Sequence, residues 1–333
     1  MRAPSASVTV QAPSAGAALG RRGAMLAAAL MAIVLLFVAL DWLALEYAYL
    51  AAYTVLQYVA IATAWNILGG YAGYVNFGSA AFFAIGCYAT IFTNQAFDFP
   101  LLASIPVAAV AAGLVGLGTG YLTLRLRGVF FSIATLALAV VLQTFVVNWD
   151  YVGGSRGVYV LRPDPPAVFG SYVQFLFAVI LALAIGSVLV AWAIERSWLG
   201  QGLAAIREDE TAAECCGVAT LRLKLIATVV SGALMGMAGA PFPYFVTYVD
   251  PATAFNLSIG VNAVAMPLIG GTTTWIGPVI GALLLGSVQQ AITVTVSSQL
   301  NLMIVGVLMV VFIVLAPNGI AGVLASLRKA KSP

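Results

Sequence analysis

The sequence predicts an all-α polytopic membrane protein with about ten transmembrane helices, bracketed between eight and ten. Three observations predict it. Of the 333 residues, 62% are apolar, about 206 positions, and a transmembrane helix takes ~20 mostly apolar residues. Only 8% are charged, whereas soluble domains carry ~25%, so a soluble surface of this size could not be covered. The apolar residues also form long runs, not the alternating ~10-residue segments of a membrane β-barrel. The same composition excludes a soluble enzyme, a disordered chain and a secreted disulfide scaffold.

The runs fall at 24–40, 47–68, 79–95, 101–124, 129–147, 171–193, 224–246, 256–270, 276–297 and 300–316. The eighth is short for a full crossing and fits a re-entrant or tilted segment as well as a span. Residues 23–320 read as a single transmembrane domain. Residues 1–22 are rich in Ala, Ser and Pro and read as a disordered tail. Residues 321–333 form a short basic tail. Arg21-Arg22 before the first run fits a signal anchor better than a twin-arginine export signal. The run is long, no small-residue cleavage site follows, and another span begins almost at once.

The charges orient the map. With the N-terminus inside, the inside segments hold Arg2, Arg21, Arg22, Arg125, Arg127, Arg196, Arg207, Arg222, Lys224, Arg328, Lys329 and Lys331, twelve of the fourteen basic residues. Arg156 and Arg162 are the exceptions. Cytoplasmic loops carry the excess of Lys and Arg, so both termini are expected in the cytoplasm. Asp41, Glu46, Asp98, Asp150, Asp164 and Asp250 fall outside.

Absences narrow the chemistry. The chain has no histidine, which removes His metal ligands, a His general base and a His proton relay. No Gly-Lys pair occurs, so the chain lacks a phosphate-binding P-loop of its own. No metal site and no bound cofactor are expected. Cys87 lies in an apolar run, and Cys215-Cys216 lie in a loop placed in the reducing cytoplasm, so all three read as fillers. Every ionisable residue lies in a loop or near a span end. An ionisable group at mid-bilayer usually marks proton or ion coupling, and none is placed there. Sodium coupling stays open, because carbonyls at broken helices can hold Na⁺. Uphill transport would then draw its energy from a partner.

Glycine is abundant, with 33 residues. Gly116-x-x-x-Gly120, Gly232-x-x-x-Gly236 and Gly277-x-x-x-Gly281 suit close helix packing. Two clusters stand apart. Gly69, Gly70 and Gly73 follow one run with Asn66 and Asn76 beside them. Gly270, Gly271 and Thr272 follow another, with Pro267, Gly277 and Pro278 nearby. Irregular backbone at membrane depth is tolerated only inside protein or along a water-filled cavity. The clusters therefore read either as a translocation path lined by neutral polar groups, or as ordinary loops at the membrane surface.

Residues 194–224 form the longest inside connection. They hold nine of the chain's twenty-five charges, fourteen basic plus eleven acidic. Leu203 and Ile206 lie three apart, as on one helical face. Thr211-x-x-Glu214 fits a capping box opening a second short helix, and Gly217 suits its left-handed stop. The concentration of charge points to a docking surface for a cytoplasmic protein. Arg207, Glu208, Asp209 and Glu210 carry a net −2, which expects a partly basic partner face.

These residues carry a resemblance. Thr211-Ala212-Ala213 followed by Gly217 keeps the spacing of the Glu-Ala-Ala…Gly cytoplasmic loop of bacterial ATP-binding cassette (ABC) importer permeases. It departs in having Thr211 for Glu and in lacking the later Ile-x-Leu-Pro. Trp65-Asn66-Ile67-Leu68-Gly69-Gly70-Tyr71-Ala72-Gly73, continuing to Phe77-Gly78-Ser79-Ala80-Ala81-Phe82-Phe83, resembles the early signature of branched-chain amino acid permeases. Leu126-Arg127-Gly128-Val129-Phe130-Phe131, Ala205-Ile206-Arg207-Glu208-Asp209-Glu210 and Gly270-Gly271 with Trp275-x-Gly277-Pro278 match their later blocks in order. The chain resembles the longer, M-type permease subunit of branched-chain amino acid ABC importers.

The resemblance implies a bacterial cytoplasmic (inner) membrane protein that is not itself an enzyme. It implies a second homologous permease subunit, two cytoplasmic ABC ATPases holding ATP and Mg, an extracytoplasmic substrate-binding protein, and an amino acid substrate. Nucleic acid has no part in it. Urea or short-amide permeases of the same family are an alternative. So are a stand-alone sodium-coupled carrier or channel, for which the 194–224 loop would be dispensable, and a scaffold subunit with no path.

Overall fold

The computed structural model describes residues 46–126, 128–166 and 169–295, with residues 303, 306, 307, 310, 319, 320 and 322. The expected first span, the two tails, Arg127 and most of the tenth span lie outside the described residues. The main helices are α1 (Glu46–Gly69), α2 (Ser79–Phe97), α3 (Leu101–Thr123), α4 (Val129–Val147) and α5 (Tyr172–Glu195). Two short helices follow, α6 (Trp198–Glu208) and α7 (Glu210–Cys215). Then come α8 (Thr220–Gly239), α9 (Phe242–Val246), α10 (Pro251–Ala254), α11 (Leu257–Gly270) and α12 (Ile276–Thr295). The strands among the described residues are β1 (Val158–Tyr159) and β2 (Tyr248–Val249), paired antiparallel. Among the described residues, eight helical segments are long and apolar enough to cross a membrane. They coincide with the second to ninth expected spans, and the chain is a multi-pass membrane protein.

Local chemistry sets the breaks. Asp98 ends α2 in the left-handed region, and Pro100 stands extended before α3. Ser171 caps α5 by accepting from Gln174 N. The run expected as one helix over 224–246 starts earlier, at Thr220, and divides at Ala240–Pro241. Pro241 has no N–H to continue the ladder and instead opens α9. The eighth run divides too. Asp250 and Asn256 each cap a helix start, giving α10 and then α11. At 1.5 Å per residue α11 is about 21 Å long, short of the ~30 Å hydrocarbon layer. The two pieces together run Pro251–Gly270.

Alternating helix direction sorts the turns. The loop end gathers residues 70–78, 124–126, 128, 196–219 and 271–275. The arm end gathers 98–100, 148–166, 169–171 and the α9–α10 region, where β1 meets β2. In the bundle, α3 packs along α8, and α2 lies against both. The small-residue pairs make this possible. A Cβ on Gly116 would stand 3.2 Å from Thr228 O, one on Gly232 3.1 Å from Ala112 O, and one on Gly236 2.7 Å from Ala108 O. Backbones this close gain van der Waals contact, which drives helix association where lipid removes the hydrophobic term.

Candidate functional site

The turn at residues 70–78 is the hub of the loop end. Trp65 Nε1 donates to Asn76 O at 2.8 Å, and Gly78 N donates to Asn76 Oδ1 at 2.7 Å, so the buried Asn76 closes the turn from within. On the α4 side, Ser132 Oγ donates to Val75 O at 2.8 Å and Phe77 N donates to Thr135 Oγ1 at 3.2 Å. Tyr71 OH donates to Ala191 O of α5 at 3.3 Å. Burial, with the Glu195 carboxylate second, holds the Tyr71 phenol well above its ordinary pKa, so it serves as a neutral donor.

The 196–219 connection folds against this hub. Ser197 caps α6, and Leu199, Leu203 and Ile206 bury one face of it, as the Leu203–Ile206 spacing predicts. The cap of α7 differs from the expected capping box. Asp209 is the capping residue, accepting from Thr211 N at 2.8 Å and Ala212 N at 3.0 Å. Its extended backbone brings the carboxylate to the first free N–H groups, which places Thr211 inside the helix. Glu214 instead accepts from Thr220 Oγ1 at 2.7 Å. Gly217 turns left-handed at φ +83°, and Val218 N donates back to Ala213 O at 3.0 Å, closing α7.

Arg207 and Glu210 are turned toward the bundle. Arg207 Nη1 donates to Gly70 O at 2.7 Å. Glu210 Oε1 accepts from Lys224 Nζ at 2.6 Å, while its Oε2 accepts from Tyr74 OH. Lys224, 2% exposed, also donates to Tyr74 OH at 3.0 Å and to Leu124 O at 3.2 Å, and its ammonium lies 4.5 Å from the Tyr74 ring centroid. One lysine thereby joins α7, α8, the 70–78 turn and the end of α3. Glu208, Asp209, Thr211 and Ala212 lie on the exposed side of the connection, and Ala213 is buried beneath them.

The two glycine clusters meet at this end. A Cβ on Gly70 would collide with Asn66 and stand 2.5 Å from Thr272 O. Gly271 holds φ +117°, a conformation only glycine takes cheaply, and Gly319 packs on it so closely that a Cβ there would lie 2.5 Å from Gly271 Cα. Gly270 and Gly277 are pressed backbone to backbone, and Gly69 lies on the Trp65 ring. Gly73 lies against the Arg207 stem, 3.3 Å from Cβ position to Cγ. Trp275 N donates to Glu195 Oε2 at 2.7 Å, tying the second turn to α5.

Sequence reasoning missed two groups. One is the Lys224–Glu210 pair, whose only signal is a lone lysine opening an apolar run. The other is a chain of neutral amides inside the bundle. Gln289 Nε2 of α12 donates to Asn262 Oδ1 of α11 at 2.9 Å, and Asn262 Nδ2 reaches Tyr58 OH of α1 at 3.4 Å. Gln57 Nε2 reaches Ala238 O at 3.4 Å. The signal for this chain of amides is the presence of Gln57, Asn262 and Gln289 within apolar runs.

A family model described as a branched-chain amino acid transport system permease component matches residues 47–313. The LivM high-affinity branched-chain amino acid permease protein of Escherichia coli K12 is 26% identical over 79% of this chain and 67% of its own length. Its Salmonella typhimurium counterpart is 26% identical over 83% and 70%. The guanosine ABC transporter permease NupP of Bacillus subtilis is 25% identical over 75% of each chain. No solved structure matches.

Proposed function

We propose that this chain, which belongs to the branched-chain amino acid transport system permease family, moves branched-chain or related amino acids inward as one permease subunit of an ABC importer. Membership makes it an ABC-type permease and a transport component, not an enzyme. In the proposal the loop end faces the cytoplasm of a bacterial inner membrane. Two ATPases, holding ATP and Mg, dock on the exposed face of α6–α7. A second permease completes the path, and an external binding protein delivers substrate at the arm end.

The observation that carries this reading is the double attachment of the 196–219 connection to the 70–78 turn. Arg207 grips Gly70 O, and Glu210 engages Tyr74 together with Lys224. A displacement of α7 by a docked ATPase must therefore pull on the ends of α1, α3 and α8. Asn66, Gly69, Gly70, Gly73, Asn76, Gly270, Gly271, Thr272 and Gly277 then form the loop-end closure of the path. Here Gly70 and Thr272 meet backbone to backbone, and separating them would open it. Neutral polar groups within the bundle support passage of a dipolar solute. Among the described residues, Thr63 Oγ1, Ser79 Oγ and Ser231 Oγ are buried without hydrogen-bond partners, and such groups gain by bonding to a solute.

The test is reconstitution with the neighbouring subunits. Binding protein loaded with leucine should stimulate ATP hydrolysis and drive leucine uptake. Uptake that persists after deletion of the ATPases would replace the importer with a stand-alone carrier. The coverage of the guanosine permease relative makes a nucleoside the second substrate to try, and uptake of guanosine in place of leucine would move the substrate class.

A further inference from the structure

At the arm end, opposite the ATPase-docking connection, lies a cleft of about 680 Å³. That is within the ~300–1,000 Å³ of small-molecule sites. The α2–α3 turn forms one wall, the extended arm at 159–166 another, and the start of α5 a third. The arm is fastened along its length. β1 pairs with β2, Val160 N donates to Thr247 O at 2.8 Å, and Arg162 donates from Nε to Tyr244 O at 2.8 Å and from Nη2 to Phe245 O at 2.7 Å.

Those two carbonyls fix the Arg162 guanidinium at the C-terminal end of α9. Its fork has five N–H donors, so two bonds leave capacity for a carboxylate. Arg162 is also one of two basic residues that break the inside bias of the sequence. Asp98 and Asp164 line the same cleft, and both are exposed. Aromatic surface comes from Phe99, Tyr172 and Phe175. One fixed cation, two carboxylates and an apolar wall, in a volume of this size, match a small molecule bearing both charges and an apolar side chain.

We infer that this cleft receives the substrate as a free zwitterion, an α-amino acid with its carboxylate on Arg162, its ammonium on Asp98 or Asp164, and its side chain on the aromatic wall. The inference rests on the amino acid importer reading above and adds a site on the permease itself. The external binding protein then hands over to a place that holds both charges.

The test uses the assembled importer in right-side-out vesicles without binding protein. Gln95→Cys places a thiol in the cleft, read by a membrane-impermeant maleimide. Cys87 is buried, and Cys215 and Cys216 lie at the other end. Leucine at ten times its dissociation constant should slow labelling about tenfold, by simple occupancy. Isopentylamine and 4-methylpentanoate, each lacking one charge, should protect much less. Arg162→Gln, and independently Asp98→Asn with Asp164→Asn, should lose leucine protection, read as the ratio of labelling rates with and without leucine in the same variant. The carboxylate variants decide the matter if Arg162→Gln fails to assemble. Absence of leucine protection, or equal protection by the amine or the acid, overturns the site. So does protection by binding protein alone, which would assign the cleft to a protein surface. In each of those cases ATP-driven leucine uptake by the same vesicles, once binding protein is supplied, leaves the importer reading standing. Protection and uptake by guanosine but not leucine would overturn both.

Discussion

Lys224 and Glu210 meet at 2.6 Å with side chains only 3% and 14% exposed, one on α8 and the other on α7. A buried pair of this kind contributes little net stability, because desolvation offsets attraction. Breaking it from one side strands the other charge, at a cost of about 3–5 kcal/mol. The pair also joins α7 to a membrane span, so in the proposed importer it is one of two points, with Arg207 on Gly70 O, where a pull on α7 would enter the bundle.

Lys224→Met and Glu210→Leu should each lower the melting temperature of the purified complex and its uptake. The double variant should regain most of the stability, because no charge is left buried. If the pair transmits force, uptake per ATP hydrolysed should stay low in the double variant. Full recovery of both would reduce the pair to a structural role.

Arg207→Ala removes the grip on Gly70 O while leaving the exposed Glu208, Asp209, Thr211 and Ala212 in place. The ATPases should still co-purify, and hydrolysis should continue with reduced uptake. Arg207→Lys should restore only part of the coupling, since an ammonium lacks the planar fork. Loss of ATPase association with Arg207→Ala would move this residue into the docking surface.

Gly217→Val should weaken α7 through its backbone alone, since a Cβ there meets no atom within 4 Å. The expected cost is about 1–2 kcal/mol, with Gly217→Asn milder. Asp209→Ala removes the α7 cap at about 1 kcal/mol, whereas Glu208→Lys leaves the fold intact and reverses an exposed charge. Co-purification should fall for Glu208→Lys in a salt-dependent way. Unchanged association across all of these would remove α7 from the docking site.

The spans were legible because an apolar run near twenty residues has few other uses, and Pro241 and the Asp250 and Asn256 caps mark where two of them divide. The α6–α7 pair was legible in outline from Leu203, Ile206 and Gly217. Its cap was not, because Asp209 and Thr211 are equally good capping residues two positions apart, and only the incoming backbone direction selects between them. The inward bonds of Arg207 and Glu210 were hidden because their partners, Gly70 O and Lys224, lie 137 and 14 positions away. The meeting of the two glycine turns was hidden for the same reason, since spacing along the chain carries no record of contact between α1 and α11.

Orientation has its own readout. Reporter fusions near Arg125 and Arg207 should read cytoplasmic, and fusions near Asp98 and Asp164 external, because the basic residues gather on one side. An external signal at Arg207 would reverse the molecule and remove the ATPase docking role.

The glycines separate packing from passage. Gly118 and Gly186 have open space where a Cβ would stand, so Gly118→Ala and Gly186→Ala should leave uptake intact and add up to about 1 kcal/mol of helix propensity. Gly277→Ala and Gly281→Ala drive a methyl into the carbonyls of Gly271 and Met266. Backbone cannot move aside as a side chain can, so assembled protein in the membrane should fall. Gly70→Ala is the informative case, because its methyl would press on Thr272 O across the two turns. If that contact is the loop-end closure, the variant should assemble at reduced level and hold the turns apart. Its uptake should then be impaired per assembled complex, and ATP hydrolysis without binding protein should rise. Uptake that falls only in proportion to assembled protein would make Gly70 a packing residue like Gly277, and the closure would have to lie elsewhere in the bundle.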